Sequence, residues 1–271
     1  IFEYNQRGHK VYRVLAMSAQ TGKVRTIIEE TAATFVNYPR HFRYDFADTS
    51  KMIWMSERDN WNHLYLYNVA NCKVIKQITK GAWCVREVVK VDEKNNTIYF
   101  SASGVNPKED PYQIHYYRIG MDGKNMVCLT PAEGNHQAVF SYDMKYVVDK
   151  YSKVDTPPVT ELRSGIDGKL ISTIAKADIS KLKESGWVAP EIFKAKGRDG
   201  ITDIWGIIQR PTNFDSTKKY PVIEYIYAGP GDAYTPKSFI AYNWNTTALA
   251  ELGFIVVQMD GMGTAWRGKK F

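Results

Sequence analysis

The chain has 271 residues, 44% of them apolar, which is enough to bury a substantial core and too apolar for a disordered segment. Its net charge of +7 comes from 36 Lys and Arg against 29 Asp and Glu scattered along the chain. No basic patch with interleaved aromatics is present, so a nucleic-acid surface is excluded, and no apolar run nears the roughly 20 residues of a membrane-spanning helix. The 18 Tyr, 11 Phe and 7 Trp favour sheets over helices.

The chain starts at Ile1 with neither Met nor a charged-then-apolar leader, and residues 11–15 already read as strand. The expectation is therefore more protein upstream, with the targeting region outside this chain. Four alternating strand pairs follow, each joined by a short turn. Residues 11–18 run into Gly22-Lys23 and residues 64–69 into Asn71-Cys72-Lys73, while residues 114–119 precede Asp122-Gly123-Lys124 and residues 159–163 precede Asp167-Gly168-Lys169. Asp-Gly between alternating runs is a hairpin signal, because both residues tolerate positive φ. A second series, residues 52–56, 98–101 and 146–149, recurs at the same interval behind turns holding Asp48, Asp92 and Asp143.

A period of about 40 to 50 residues with four strands per unit predicts propeller blades, each sheet burying its faces against its neighbours. The predicted partial propeller covers residues 1–173, about three and a half blades. Such an open array should expose apolar faces and strand edges and so associate. A sandwich would not repeat its turn chemistry so regularly.

From residue 174 the pattern changes. Residues 174–186 predict a short charged helix with Ile179 and Leu182 inward, inside a linker over 174–190. Residues 191–196 and 201–209 predict a hairpin about Arg198-Asp199-Gly200, closed by Pro211. The near-continuous apolar run 220–227 predicts a strand buried on both faces, with Tyr225 in the core. A helix over 241–252 capped by Gly253 and a strand over 254–259 complete a parallel crossover, so residues 191–271 read as the beginning of an α/β domain. The fold class is mainly β: propeller blades followed by the first strands and helix of an α/β-hydrolase domain.

Several segments together resemble the prolyl oligopeptidase group of serine peptidases, in its dipeptidyl peptidase IV-like branch. They are Ser56-Glu57-Arg58-Asp59-Asn60-Trp61-Asn62-His63-Leu64-Tyr65, Trp205-Gly206 through Arg210-Pro211, Lys218-Lys219-Tyr220-Pro221-Val222 and Tyr227-Ala228-Gly229-Pro230-Gly231. Asn243-Trp244 and Asp260-Gly261-Met262-Gly263-Thr264 add to these, with Met262 where the family usually has Arg.

The resemblance implies a propeller capping a hydrolase domain, a Ser-His-Asp triad and hydrogen-bond donors for the oxyanion. It gives Tyr227 the role of oxyanion donor, and Phe35 and Trp266 that of residues lining the substrate cavity, with Arg267 beside Trp266. It implies a peptide partner cut near its N-terminus after Pro or a small residue, export to the periplasm or cell surface, no cofactor and no metal, and it leaves a homodimer open.

No Gly-x-Ser-x-Gly occurs, so this chain alone is expected to be inactive. Ser216 and Ser238 read as loop serines, and His9, His41, His63, His115 and His136 lack metal-ligand spacing. Glu29-Glu30, an adjacent glutamate pair after a strand, reads as a solvated turn. Cys72, Cys84 and Cys128 read as packing residues, with one bridged pair left open. Asn95 and Asn245 head Asn-x-Thr triplets that arise easily by chance. Two other readings stand beside the peptidase: a catalytically dead relative that binds peptides or proteins, and an acylaminoacyl peptidase or esterase of the same superfamily.

Overall fold

The computed structural model describes residues 1–227 and 229–271. In chain order the elements are β1 (Phe2–Asn5), β2 (Val11–Met17), β3 (Val24–Thr31), β4 (Arg43–Asp45), β5 (Lys51–Ser56), β6 (His63–Asn68), β7 (Lys73–Gln77), β8 (Cys84–Asp92) and β9 (Thr97–Ser103). Next come β10 (Ile114–Gly120), β11 (Val127–Cys128), β12 (Asn135–Phe140), β13 (Tyr146–Lys153), β14 (Thr156–Ser164), β15 (Leu170–Lys176), α1 (Ser180–Glu184), β16 (Glu191–Lys196), β17 (Asp203–Gln209), β18 (Val222–Glu224), α2 (Thr246–Glu251) and β19 (Ile255–Met259).

Among the described residues the strands form five sheets. Three are four-stranded blades in simple chain order, β4 to β7, β8 to β11 and β12 to β15, and a three-stranded sheet of β1 to β3 precedes them. The fifth runs β16-β17-β19-β18, with β18 parallel to β19 and the other pairs antiparallel. The chain is thus mainly β, and the parallel pair marks the change to α/β character after the blades.

The repeated turns fold as their chemistry requires. Gly123 has φ +76°, and a Cβ there would sit 2.8 Å from the Ile78 carbonyl oxygen, so only glycine closes that turn. The Asp122 and Asp167 carboxylates accept the N–H groups of Lys124 and Lys169 two residues on, the usual bond of an aspartate-led turn.

The chain divides into two compact units, one of Ile1–Val105, Tyr117–Val127 and Arg267–Lys270, the other of Asn106–Tyr116, Cys128–Trp266 and Phe271. The first buries Tyr12, Val14, Ile27, Ile28, Val36, Met52, Trp54, Tyr65 and Tyr67 in one core. Trp54 is central to it, with its ring 4.7 Å from His41 and 6.0 Å from Tyr12. β5 is buried continuously over Met52–Ser56 and β6 over its first three residues, so both faces of these strands are covered and large apolar residues recur there. The second unit buries Val147, Leu129 and Val154 among the blade strands and Ile204, Ile207, Ala250 and Val256 around the last sheet.

Three sequence expectations are corrected, and one left open is decided. The charged helix is confined to Ser180–Glu184, because β15 extends to Lys176 through pairing of Ala175 with Thr160 and Lys176 with Val159. The second helix spans only Thr246–Glu251, since the Asn243 side chain accepts the Asn245 and Thr246 N–H groups and sets the start there. Strand β18 stops at Glu224 and is the edge of its sheet, leaving Val222 and Ile226 exposed, so the apolar run is not buried on both faces. All three cysteines are free thiols, so no pair bridges. Burial pushes the Cys84 thiol up to about 12, which keeps it protonated and unreactive.

Gly206 in β17 lies across from Phe193 in β16 and Met259 in β19. A Cβ there would stand 2.5 Å from two Phe193 ring carbons and 2.8 Å from the Gln258 carbonyl oxygen. Gly206→Ala is therefore expected to lower stability by about 1–3 kcal/mol, read by denaturant titration, as overpacking between strands does. An unchanged unfolding midpoint would contradict the close packing.

Candidate functional site

Two groups of residues carry chemistry, one in each compact unit. In the second unit, β18 and β19 run parallel and their C-terminal ends deliver Tyr227 and Asp260, at the end of the sheet where α/β proteins place ligands. Asp260 is 1% exposed. Its two carboxylate oxygens accept the backbone N–H groups of Tyr234 at 2.7 Å and Thr235 at 2.9 Å. Gln258, two residues earlier, donates from Nε2 to the Tyr234 carbonyl at 3.0 Å. β19 thus holds the Tyr234 backbone from both sides and fixes where its ring points.

That ring meets Tyr227 edge-on, centroids 4.4 Å apart. Tyr227 itself is 65% exposed, and its hydroxyl has no hydrogen-bond partner among the described residues. The next residue of its motif, Ala228, lies outside the described residues. Tyr225 is not core: it is exposed, and its hydroxyl accepts from Asn245 Nδ2 at 3.0 Å.

Trp266 is buried at 6% exposure and donates from Nε1 to Asp232 Oδ1 at 2.6 Å. Its φ of +70° is uncommon for an aromatic residue, and this local strain sits beside the Tyr227 loop. Asp232, Tyr234 and Asp260 escape sequence reasoning. Asp260 lies within a recognisable motif, but nothing in the sequence says that it grips a loop 25 residues upstream.

In the first unit a cavity of about 340 Å³ is lined by Glu30, residues 31–34, Val36, His41, Glu57, Arg58, Asn60, Lys269 and Lys270. Glu30 corrects the solvated-turn expectation. It is the buried seventh residue of β3, 6% exposed, and accepts from Trp54 Nε1 at 2.8 Å, from Ser56 Oγ at 2.9 Å and from the Arg58 guanidinium. Glu29, its neighbour on the opposite strand face, pairs with Arg13 at the surface.

Burial works against the Arg58 charge, yet Glu30 beside it holds that group above its ordinary value, so the guanidinium stays charged. Burial pushes His41 below its usual value, so it is neutral near pH 7. Its Nδ1 lies 3.1 Å from the Met55 carbonyl, which can only accept, so Nδ1 carries the hydrogen. Nε2 is then a lone pair, buried and unpartnered among the described residues, beside the cavity. Glu57 and Lys269 pair at 2.5 Å, and Lys269 Nζ lies 5.0 Å from the centre of the half-buried Phe35 ring. Phe35 itself stands between Thr34 and Val36, which line the cavity.

The sequence profile described as "Dipeptidyl peptidase IV (DPP IV) N-terminal region" matches residues 1–158, more than half of the chain. The chain belongs to the dipeptidyl peptidase IV family. Among curated relatives it is similar to the probable dipeptidyl-aminopeptidase B of Arthroderma gypseum, 32% identical over 221 residues that make up 79% of this chain and 23% of that protein. The protein of the same description from Botryotinia fuckeliana is 32% identical over 224 residues, 78% of this chain and 23% of that one. This dipeptidyl peptidase IV-family chain therefore spans about a quarter of the length of the curated relatives it matches.

Among solved structures, a putative dipeptidyl aminopeptidase IV from Bacteroides ovatus superposes with TM-score 0.78 at 27% identity, covering 97% of this chain and 40% of that one. Porphyromonas gingivalis dipeptidyl peptidase 4 superposes with TM-score 0.76 at 23% identity, covering 98% and 37%, and shows likeness of fold alone.

Proposed function

We propose that this chain is the part of a secreted serine exopeptidase that supplies its oxyanion donor, in an enzyme releasing dipeptides from peptide N-termini after Pro or a small residue. The observation that carries the reading is Tyr227. A phenol beyond the C-terminal end of a parallel strand, with its ring braced by Tyr234 and its hydroxyl without a hydrogen-bond partner among the described residues, is available to donate to an oxyanion forming on a substrate carbonyl. A hydroxyl already bonded within the chain would have to break that bond first. The family membership and the dipeptidyl peptidase relatives support the substrate class.

In this reading a serine outside the chain attacks the carbonyl, and negative charge develops on the carbonyl oxygen where the Tyr227 O–H can meet it. Phe35 offers an apolar face to the substrate. Trp266 is a positioning residue that acts through Asp232 on the loop behind Tyr227. The cavity with neutral His41, the Glu30–Arg58 pair and the Glu57–Lys269 pair offers acceptors and donors to a short polar ligand such as a peptide end. The domain reading stays as proposed: a partial propeller over 1–173, a link over 174–190 and the start of an α/β-hydrolase domain over 191–271, in an exported protein able to pair as a homodimer. The 271 residues alone should turn over no peptide, because the elbow sequence of a serine nucleophile is absent from them.

The test offers the full-length protein Gly-Pro and Ala-Ala reporters beside acyl-amino-acid reporters. Release from the Gly-Pro reporter at least tenfold faster than from any acylated one is the expected result. Preference for the acylated reporters would replace the reading with an acylaminoacyl peptidase, and peptide binding without turnover would replace it with a binding module.

A further inference from the structure

Outside these two sites the second unit buries a second, denser group of charges. His136 in β12 is 1% exposed and His115 in β10 is 6% exposed, with their rings 4.6 Å apart. His136 presents Nδ1 to the Asp149 carboxylate, 2.8 and 3.0 Å from its two oxygens, and Nε2 to the Ala132 carbonyl at 2.7 Å. His115 repeats the pattern, with Nδ1 2.7 Å from the Thr130 carbonyl and Nε2 2.8 Å from Glu109 Oε2.

A backbone carbonyl only accepts, so in each ring the nitrogen facing it must be N–H. The other nitrogen faces a carboxylate, and a short bond there needs one more proton than a neutral imidazole and an ionised carboxylate hold between them. Each histidine–carboxylate pair therefore carries that extra proton.

The surrounding charges agree. Arg163 on β14 lies 3.7 Å from Asp149 and bonds Glu161 through Nε at 2.9 Å and Nη2 at 2.6 Å. Tyr151 on β13 stacks on His136 at 5.1 Å and reaches Glu161 at 3.4 Å. The Cys128 thiol on β11 bonds His115. Two imidazoliums and Arg163 balance Asp149, Glu161 and Glu109, whereas two neutral histidines would leave a buried net charge of −2. Burial and the charge of neighbouring His136 oppose the His115 charge, but its bonds to Cys128, Thr130 and Glu109 outweigh them and hold that group above the usual histidine value.

The residue next to each of three cluster members anchors one tripeptide. Asp110, beside Glu109, takes Lys237 Nζ at 2.7 Å. Asn135, beside His136, donates to Ser238 Oγ at 2.9 Å, and Ser152, beside Tyr151, accepts the Phe239 N–H at 3.0 Å. Residues 237–239 follow directly on the loop that carries Asp232 and Tyr234 and braces Tyr227.

The geometry points to a protonation-dependent clamp: His115, bonded to Glu109 and stacked on His136, secures the 232–239 segment only while the His115–Glu109 pair keeps its extra proton. The clamp is independent of whether the parent enzyme is a peptidase, and its consequences are local. A group held protonated in the fold but titrating near pH 6.5 when unfolded stabilises fully below that pH, and the stabilisation is lost as pH rises through the folded value. That one proton on His115 makes the closing equilibrium of the segment fall by up to about tenfold per pH unit above roughly pH 7.

The test is hydrogen–deuterium exchange at residues 232–240 of the full chain, corrected for intrinsic rates, from pH 6 to 9, with ¹⁵N spectra of the imidazoles. Faster exchange as pH rises, with both nitrogens of the His115 ring protonated at pH 7, is expected. In Glu109→Gln the side-chain amide donates to a neutral His115 Nε2 and removes the need for that proton, so the pH slope should flatten while the fold is kept. Corrected exchange that is flat with pH in the wild type, or a bare nitrogen on His115 at pH 7, would overturn the clamp.

Discussion

Glu30→Ala is expected to destabilise the first unit by about 2–4 kcal/mol, more than any surface change in the chain. The carboxylate is buried against Trp54, Ser56 and Arg58, and its removal strands an indole N–H, a hydroxyl and a guanidinium together. Removing one partner of a buried ion pair costs roughly 3–5 kcal/mol, since the other charge is left without compensation. The Arg58 side chain is 30% exposed, so water recovers part of that loss and sets the lower range. Glu30→Gln keeps an acceptor for Trp54 and Ser56 but not the charge for Arg58, and should lose about half as much. Urea titration of both variants reads the difference directly. A loss under about 0.5 kcal/mol for Glu30→Ala would mean that the carboxylate is solvated, as ordinary surface substitutions are.

Tyr227→Phe in the full-length protein should cut kcat by about 10²–10³ and leave KM within a few-fold. One oxyanion donor contributes roughly 3–4 kcal/mol, and it does so at the transition state, where the carbonyl oxygen carries charge, so substrate binding is barely touched. The substitution removes only a hydroxyl from a ring that is 65% exposed and keeps the edge contact with Tyr234. Stability should therefore change by less than about 0.5 kcal/mol, and the activity loss cannot be mistaken for unfolding. Tyr234→Ala removes the brace and keeps the hydroxyl. A smaller fall in kcat, with KM altered as well, would mark Tyr234 as a positioning residue.

The blades were legible because their signals are local. The recurring apolar run 52–56, the pattern of 64–69 and the Asp-Gly turns at 122–123 and 167–168 are set by neighbours within a hairpin, and the observed strands Lys51–Ser56 and His63–Asn68 follow them. The helices were overextended because apolar periodicity continues through residues that tertiary bonds claim. Lys176 pairs with Val159, and the Asn243 side chain caps the chain at 245–246. Two glutamates in a row carry the local signature of a solvated turn, which hides the burial of Glu30. Strand alternation instead sends Glu29 out to Arg13 and Glu30 in to Trp54, partners that lie 16 and 24 residues away along the chain.

Tyr227 was reached through its motif, whereas the Asp260 and Gln258 bonds that hold Tyr234 against it span 24 to 26 residues and leave no local trace. The histidine clamp was hidden for the same reason. His115 and His136 lie 21 residues apart on different blades, and the sequence spacing that reveals metal ligands says nothing about imidazoles facing carboxylates.

The central claim is that this chain lends a tyrosine donor to a serine nucleophile elsewhere in the same protein. Its most direct test is the rate of covalent labelling of the full-length protein by a fluorophosphonate, measured for wild type and Tyr227→Phe. Phosphonylation of serine builds negative charge on an oxygen held by the same donors, so the account predicts one label per molecule, protection by a dipeptide substrate and labelling slowed at least tenfold in Tyr227→Phe. A folded full-length protein that takes no label, or a Tyr227→Phe variant labelled at the wild-type rate, would contradict it.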